Sequence, residues 1–111
     1  MDGIVGGVLS PLTLRLPELQ TQMDEWSRDE NFWLRRAAIL HQLKHHKATD
    51  ADRLFAYCHA SASDPAFFIR KAIGWALRTY AYSDPLAVRA FVEANKTHLS
   101  WLSVREALKH L

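Results

Sequence analysis

Cysteine is almost absent: Cys58 is the only one in 111 residues, so no disulfide can form within the chain. A lone thiol fits a reducing compartment, and the expected location is the cytoplasm. Glycine is scarce and confined. Gly3, Gly6 and Gly7 crowd the start, and only Gly74 lies beyond them. A glycine costs a helix interior about 1 kcal/mol relative to alanine, so this exclusion favours long helices. No apolar run approaches the ~18 residues of a membrane span, so no membrane segment is expected. No basic stretch precedes the apolar residues after Met1, which makes them a poor secretory signal. Strict two-residue alternation is missing as well, which leaves no candidate strands.

What remains is helical material. Apolar residues make up 49% and charged residues 23%, the balance of a globular chain about one small domain long. Acids are missing from two stretches. Residues 31–49 carry Arg35, Arg36, Lys44 and Lys47 with no Asp or Glu, and residues 65–83 carry Arg70, Lys71 and Arg78 with none. The net charge of +2 hides this separation.

The acid-free stretches occupy equivalent places in a repeat. At an offset of 35, Asp29-Glu30-Asn31-Phe32-Trp33-Leu34-Arg35-Arg36-Ala37 falls on Asp64-Pro65-Ala66-Phe67-Phe68-Ile69-Arg70-Lys71-Ala72. Val104, Arg105 and Ala107 continue the series. A period near 35 with two helices per unit is the signature of an α-solenoid. Expected helices are 17–27, 31–46, 50–61, 65–81, 85–95 and 101–110. Asp64-Pro65, Asp84-Pro85, Thr49 with Asp52, and Ser103 with Glu106 supply the expected starts. The fold class is therefore all-α, an α-solenoid of about three helix pairs, 17–46, 50–81 and 85–110. Residues 1–16 read as the remnant of a preceding repeat.

In such a solenoid the second helix of each pair lines a concave wall, here positive, while the first helices carry most acids. A positive trough attracts a polyanion, because Lys and Arg displace the counterions condensed on phosphates. Trp75 follows Arg36 by one repeat plus one helical turn, so a cation and an aromatic face share the groove. Gly74 beside it suits the close approach of something bulky. Trp26, Trp33 and Trp101 read as packing residues, and Cys58 as core. Arg35, Arg70 and Arg105 form a ladder expected to pair with acids such as Asp29 or Asp64. His41 and His45 invite a metal reading, but no third ligand is evident. A basic helix end near the last carbonyls accounts for them better. No metal and no cofactor are expected.

The blocks Phe32-Trp33-Leu34-Arg35-Arg36-Ala37, Ile73-Gly74-Trp75-Ala76-Leu77 and Val104-Arg105-Glu106-Ala107-Leu108 resemble the DNA alkylation repair enzymes of the AlkD type, HEAT-like repeat DNA glycosylases. The resemblance runs along essentially the whole chain and corresponds to the C-terminal half of family members. It implies hydrolysis of the N-glycosidic bond of N3- or N7-alkylated purines in double-stranded DNA. It places the family's motif arginine on Arg36, its tryptophan on Trp75 and its catalytic carboxylate on Asp2. Lys71, Arg78 and Lys44 are the further cations expected to contact DNA. The family Trp four residues before the catalytic Asp has no counterpart in this sequence. Weak DNA binding and little base release are therefore expected from this chain alone. A catalytically inactive DNA-binding module and a protein-interaction solenoid are the competing readings. The apolar residues Ile4, Val5, Val8, Leu9 and Leu12 suggest a homodimer through the N-terminal face.

Overall fold

The computed structural model describes residues 5–109 and Leu111, so Asp2 lies outside the described residues. Among the described residues seven α-helices follow one another: α1 (Ser10–Arg15), α2 (Leu19–Trp26), α3 (Phe32–Leu40), α4 (Ala51–Ala60), α5 (Phe67–Ala81), α6 (Pro85–Asn95) and α7 (Trp101–Ala107). A π-helical turn, Val5–Leu9, runs into α1, and a short 3-10 turn, His46–Ala48, precedes α4. No strand occurs among the described residues.

The helices form two layers of an α-solenoid-like arrangement. The apolar positions of α5 recur at helical spacing (Ile69, Ala72, Ile73, Ala76 and Leu77), and all are buried. They pack α5 between α3 on one side and α7 on the other. The outer layer is stitched by other means. Phe55 of α4 stacks on Phe91 of α6 with ring centroids 4.6 Å apart, and Asn95 of α6 meets His59 of α4 at 2.7 Å. Between α2 and α4, Arg53 grips Asp24 with two nitrogens at 2.8 and 3.1 Å, and the Tyr57 hydroxyl donates to the same carboxylate. Burial opposes ionisation of Asp24, but these hydrogen bonds outweigh it and lower its pKa. Met23, Leu54, Val88 and Val92 join the core from this layer, and Cys58 is fully buried with its thiol pushed up by burial.

Helix starts differ from expectation in instructive ways. Asp50, not Thr49, caps α4 by accepting from the Arg53 amide at 3.1 Å. Ser100, not Ser103, caps α7 at 3.1 Å. Ser103 instead lies inside the helix and donates to the Arg70 carbonyl of α5 at 2.8 Å, so its hydroxyl ties two helices. Asp64 serves two purposes. It accepts from the Ala66 amide at 2.8 Å and from Arg35 at 2.6 Å. Arg35 also reaches the Asp29 carbonyl at 2.7 Å, and Arg70 the Asp64 carbonyl at 3.1 Å. Two rungs of the arginine ladder are thus structural, whereas Arg105 is exposed.

The helix expected over 31–46 ends at Leu40. Beyond it, Gln42 turns inward and pairs with the Asp50 backbone in both directions, at 2.7 and 3.2 Å. His46 takes a left-handed conformation with φ 51°. The histidines here do not make a basic helix end. His41 and His45 are buried. His41 Nδ1 donates to the Ala38 carbonyl at 2.6 Å. His45 Nε2 donates to the Ser10 carbonyl of α1 at 2.8 Å, and Thr13 packs its hydroxyl 3.1 Å away. These imidazoles dock α1 onto the turn after α3. Of the apolar N-terminal residues, Val8 is exposed, Leu9 packs against the core and Leu12 is half-buried. Ile4 and the side chain of Val5 lie outside the described residues.

Gly74 faces α7, not an open groove. A Cβ added there would sit 2.7 Å from Glu106 Cβ and 3.4 Å from Ser103 Cα. The bulky thing it admits is a neighbouring helix.

Two outcomes follow from this packing. Gly74→Ala gains helix propensity but forces α7 away, and overpacking costs typically about 1–3 kcal/mol. The variant is expected to melt below the parent in thermal denaturation, and an equal or higher Tm would contradict the close contact. Burial lowers the His41 pKa to about 4 from its ordinary 6.5. The unfolded imidazole takes its proton near 6.5 and the folded one only near 4. Stability present above that window is therefore lost as pH falls through it, by about 3 kcal/mol at most. Tm should drop between pH 7 and 4.5, and His41→Gln should flatten that drop. Equal slopes in both proteins would refute the assignment.

Candidate functional site

The core face of α5 fixes what its other face presents. Lys71, Trp75 and Arg78 are spaced by four and three residues, so they project from one side of the helix. With Arg36 of α3, Phe68 of α5, Glu106 of α7 and Lys109 just beyond it, they line an open groove of about 530 Å³. Four cations and one carboxylate meet there around an indole. Trp75 is 37% exposed, so a ring face is available at the surface.

Each cation is held differently. Lys71 is exposed, with its Nζ 5.9 Å from the Phe67 ring centroid. Arg78 pairs with Glu106 at 3.5 Å, and both side chains are about a quarter to a third exposed. A pair so long and so wet contributes little to stability and leaves much of the field of both groups intact. Arg36, expected to share a groove with Trp75, lines it but is itself buried. Its guanidinium donates to the Phe68 carbonyl at 2.5 Å and lies 5.8 Å from the Phe68 ring centroid. Arg36 is therefore a buried, hydrogen-bonded cation of the groove, while Lys71 and Lys109 are exposed cations.

Four of the expected site residues, Arg36, Lys71, Trp75 and Arg78, share this groove. Lys44 does not line it. That residue is exposed in the turn after α3, where its backbone amide donates to Ser10 Oγ at 2.9 Å. Asp2 lies outside the described residues. Phe68, Glu106 and Lys109 were not among the expected residues. The repeat offset of 35 sets Glu106 opposite Lys71 and Phe68 opposite Trp33, so both positions were marked by the repeat itself. Lys109 falls opposite Gly74, and nothing in its side-chain chemistry singles it out.

The aromatic residues correct a second expectation. Trp33 is 37% exposed, in a surface cluster with Phe32 and Phe68 at centroid distances of 4.4 and 5.5 Å. Trp101 is 74% exposed. Neither is a simple packing residue. Among the described residues, no group of three or more His, Cys, Asp or Glu is arranged to hold a metal ion, and no helix is long and apolar enough to cross a membrane.

Comparison with known proteins adds to this geometry. The family model described as DNA alkylation repair enzyme matches residues 1–111. A solved structure, a predicted DNA alkylation repair enzyme from Enterococcus faecalis, is similar with a TM-score of 0.82 and 37% sequence identity. The similarity covers 90% of this chain and 46% of that one, so this chain spans under half the length of that relative. No curated protein matches significantly.

Among the described residues, Glu106 is the only carboxylate lining the groove. Glu106→Gln removes it while keeping its size, which leaves the groove more positive. The variant should elute from a heparin column at higher salt than the parent. Unchanged or earlier elution would mean that polyanions bind elsewhere.

Proposed function

Because the chain belongs to the DNA alkylation repair enzyme family, we propose that its groove receives double-stranded DNA carrying an N3- or N7-alkylated purine and serves hydrolysis of the N-glycosidic bond. The observation that carries this reading is the exposed Trp75 ring set among the cations Arg36, Lys71, Arg78 and Lys109. The cations match phosphates, and the indole matches a base that is itself positively charged.

An alkylated purine bears a formal positive charge and is a good leaving group. When the bond breaks, its electron pair moves onto the base, which departs neutral, and positive charge develops at the sugar C1′. A carboxylate near C1′ stabilises that charge and takes a proton from the water that adds there. Asp2 is our candidate for this carboxylate. Trp75 holds the cationic lesion through cation–π attraction, worth ~0.5–2 kcal/mol. Arg36, oriented by the Phe68 carbonyl, contacts a backbone phosphate. Most glycosylases flip the target base into an enclosed pocket. The groove here is open, which favours handling of the lesion at the surface.

The test is release of N7-methylguanine from duplex DNA, alongside a binding titration at several salt concentrations. The chain alone is expected to bind DNA weakly, more weakly as salt rises, and to release little base. Trp75→Ala should lower affinity for alkylated duplex more than for undamaged duplex. Release as fast as that of an active full-length family member would overturn the expectation for the chain alone. Salt-independent or absent DNA binding would overturn the functional reading and favour a protein-interaction solenoid. Binding without release, unaffected by Asp2→Asn, would favour an inactive DNA-binding module. The proposed homodimer through the N-terminal face predicts a dimer mass in light scattering, and a clean monomer would remove it.

A further inference from the structure

The most exposed tryptophan among the described residues lies outside the groove just discussed. Trp101 opens α7, and its side chain is 74% exposed. It borders a second hollow, lined by Lys96, Val104, Arg105, Glu106, Leu108 and Lys109 besides Trp101 itself. Lys96, Arg105 and Lys109 are all exposed. Among the described residues the hollow's single carboxylate is Glu106, already paired with Arg78 of α5. Three cations around an uncovered indole attract a polyanion that carries stackable rings.

The two hollows adjoin, because Glu106 and Lys109 line both. Trp75 and Trp101 thus mark two stations on one positive track. At the second station duplex DNA uses only half of what is offered. Its phosphates meet Lys96 and Arg105, but its bases are stacked inside and cannot reach the indole. A base stacks on an exposed aromatic ring when it is unpaired, and such stacking is sequence-tolerant.

We propose that the Trp101 hollow binds an unpaired nucleotide of the same DNA, with Lys96 and Arg105 on its flanking phosphates. This rests on the reading that the Trp75 groove binds DNA, and it extends that reading to the substrate class: duplex with a single-stranded segment beside the duplex end or lesion. Arg105 supports the assignment by contrast. Its repeat equivalents Arg35 and Arg70 are consumed by Asp64, whereas Arg105 is exposed on this hollow.

The experiment compares a blunt duplex with the same duplex carrying a short oligothymidine overhang. Titrations monitor anisotropy of labelled DNA and quenching of tryptophan fluorescence. The parent chain should bind the overhang form about fivefold or more tightly. Trp101→Ala should abolish that preference while leaving blunt-duplex affinity and the circular dichroism spectrum unchanged. Lys96→Ala with Arg105→Ala should reduce the salt dependence of overhang binding by about two phosphate contacts' worth. Equal binding of both forms by the parent, or a preference that survives Trp101→Ala, would overturn the proposal and leave the Trp75 groove untouched. Failure to bind either form would instead sink the DNA-binding reading on which it rests. A loss of dimer mass in Trp101→Ala, with DNA binding unaltered, would assign the hollow to a second copy of the chain and overturn it as well.

Discussion

The contact of α7 on α5 at Gly74 governs the geometry of the surface. With any side chain at that position, Glu106 Cβ would have to move, because an added Cβ would approach it to 2.7 Å. The missing side chain lets α7 settle deep enough for Ser103 to bond the Arg70 carbonyl and for Glu106 to reach Arg78. Those two links set the width of the groove and bring Lys109 to its rim. A helix interior pays for this glycine in backbone entropy, and the packing of two inner helices offsets the cost.

A second constraint is the way charge is bound. Arg35, Arg53 and Arg36 are each fixed by oxygen atoms of the protein: Asp64, Asp24 and the Phe68 carbonyl. Such arginines hold elements together and cannot follow a ligand. Lys71, Lys96, Arg105 and Lys109 are exposed and can adjust to phosphate positions. The sequence distinguishes these classes poorly, since Arg35, Arg70 and Arg105 share one repeat position and only Arg105 is left exposed.

How much was legible follows the same division. The period of 35, the acid-free inner helices and the α5 face bearing Lys71, Trp75 and Arg78 are all local or periodic patterns. They yield the helical class and most of the groove. What escaped depends on contacts between segments far apart in the chain. Gln42 breaks the long helix because the Asp50 backbone offers it two bonds. His41 and His45 read as a basic end until α1 is seen to cover them. Trp101 reads as a packing residue, and only the final packing leaves it in solvent.

The outer layer carries its own consequence. Asp24, Glu25, Asp50 and Asp52 border a hollow between α2 and α4 with two arginines, Arg28 and Arg53, so its described lining carries more acid than base. A molecule with an excess of acids around one hollow and an excess of cations around another carries a dipole between them. In the field of a polyanion it experiences a torque before it makes any contact, so encounters arrive already turned the productive way. The acids that weaken net attraction therefore shorten the search over orientations, an effect on association rate and not on the final affinity.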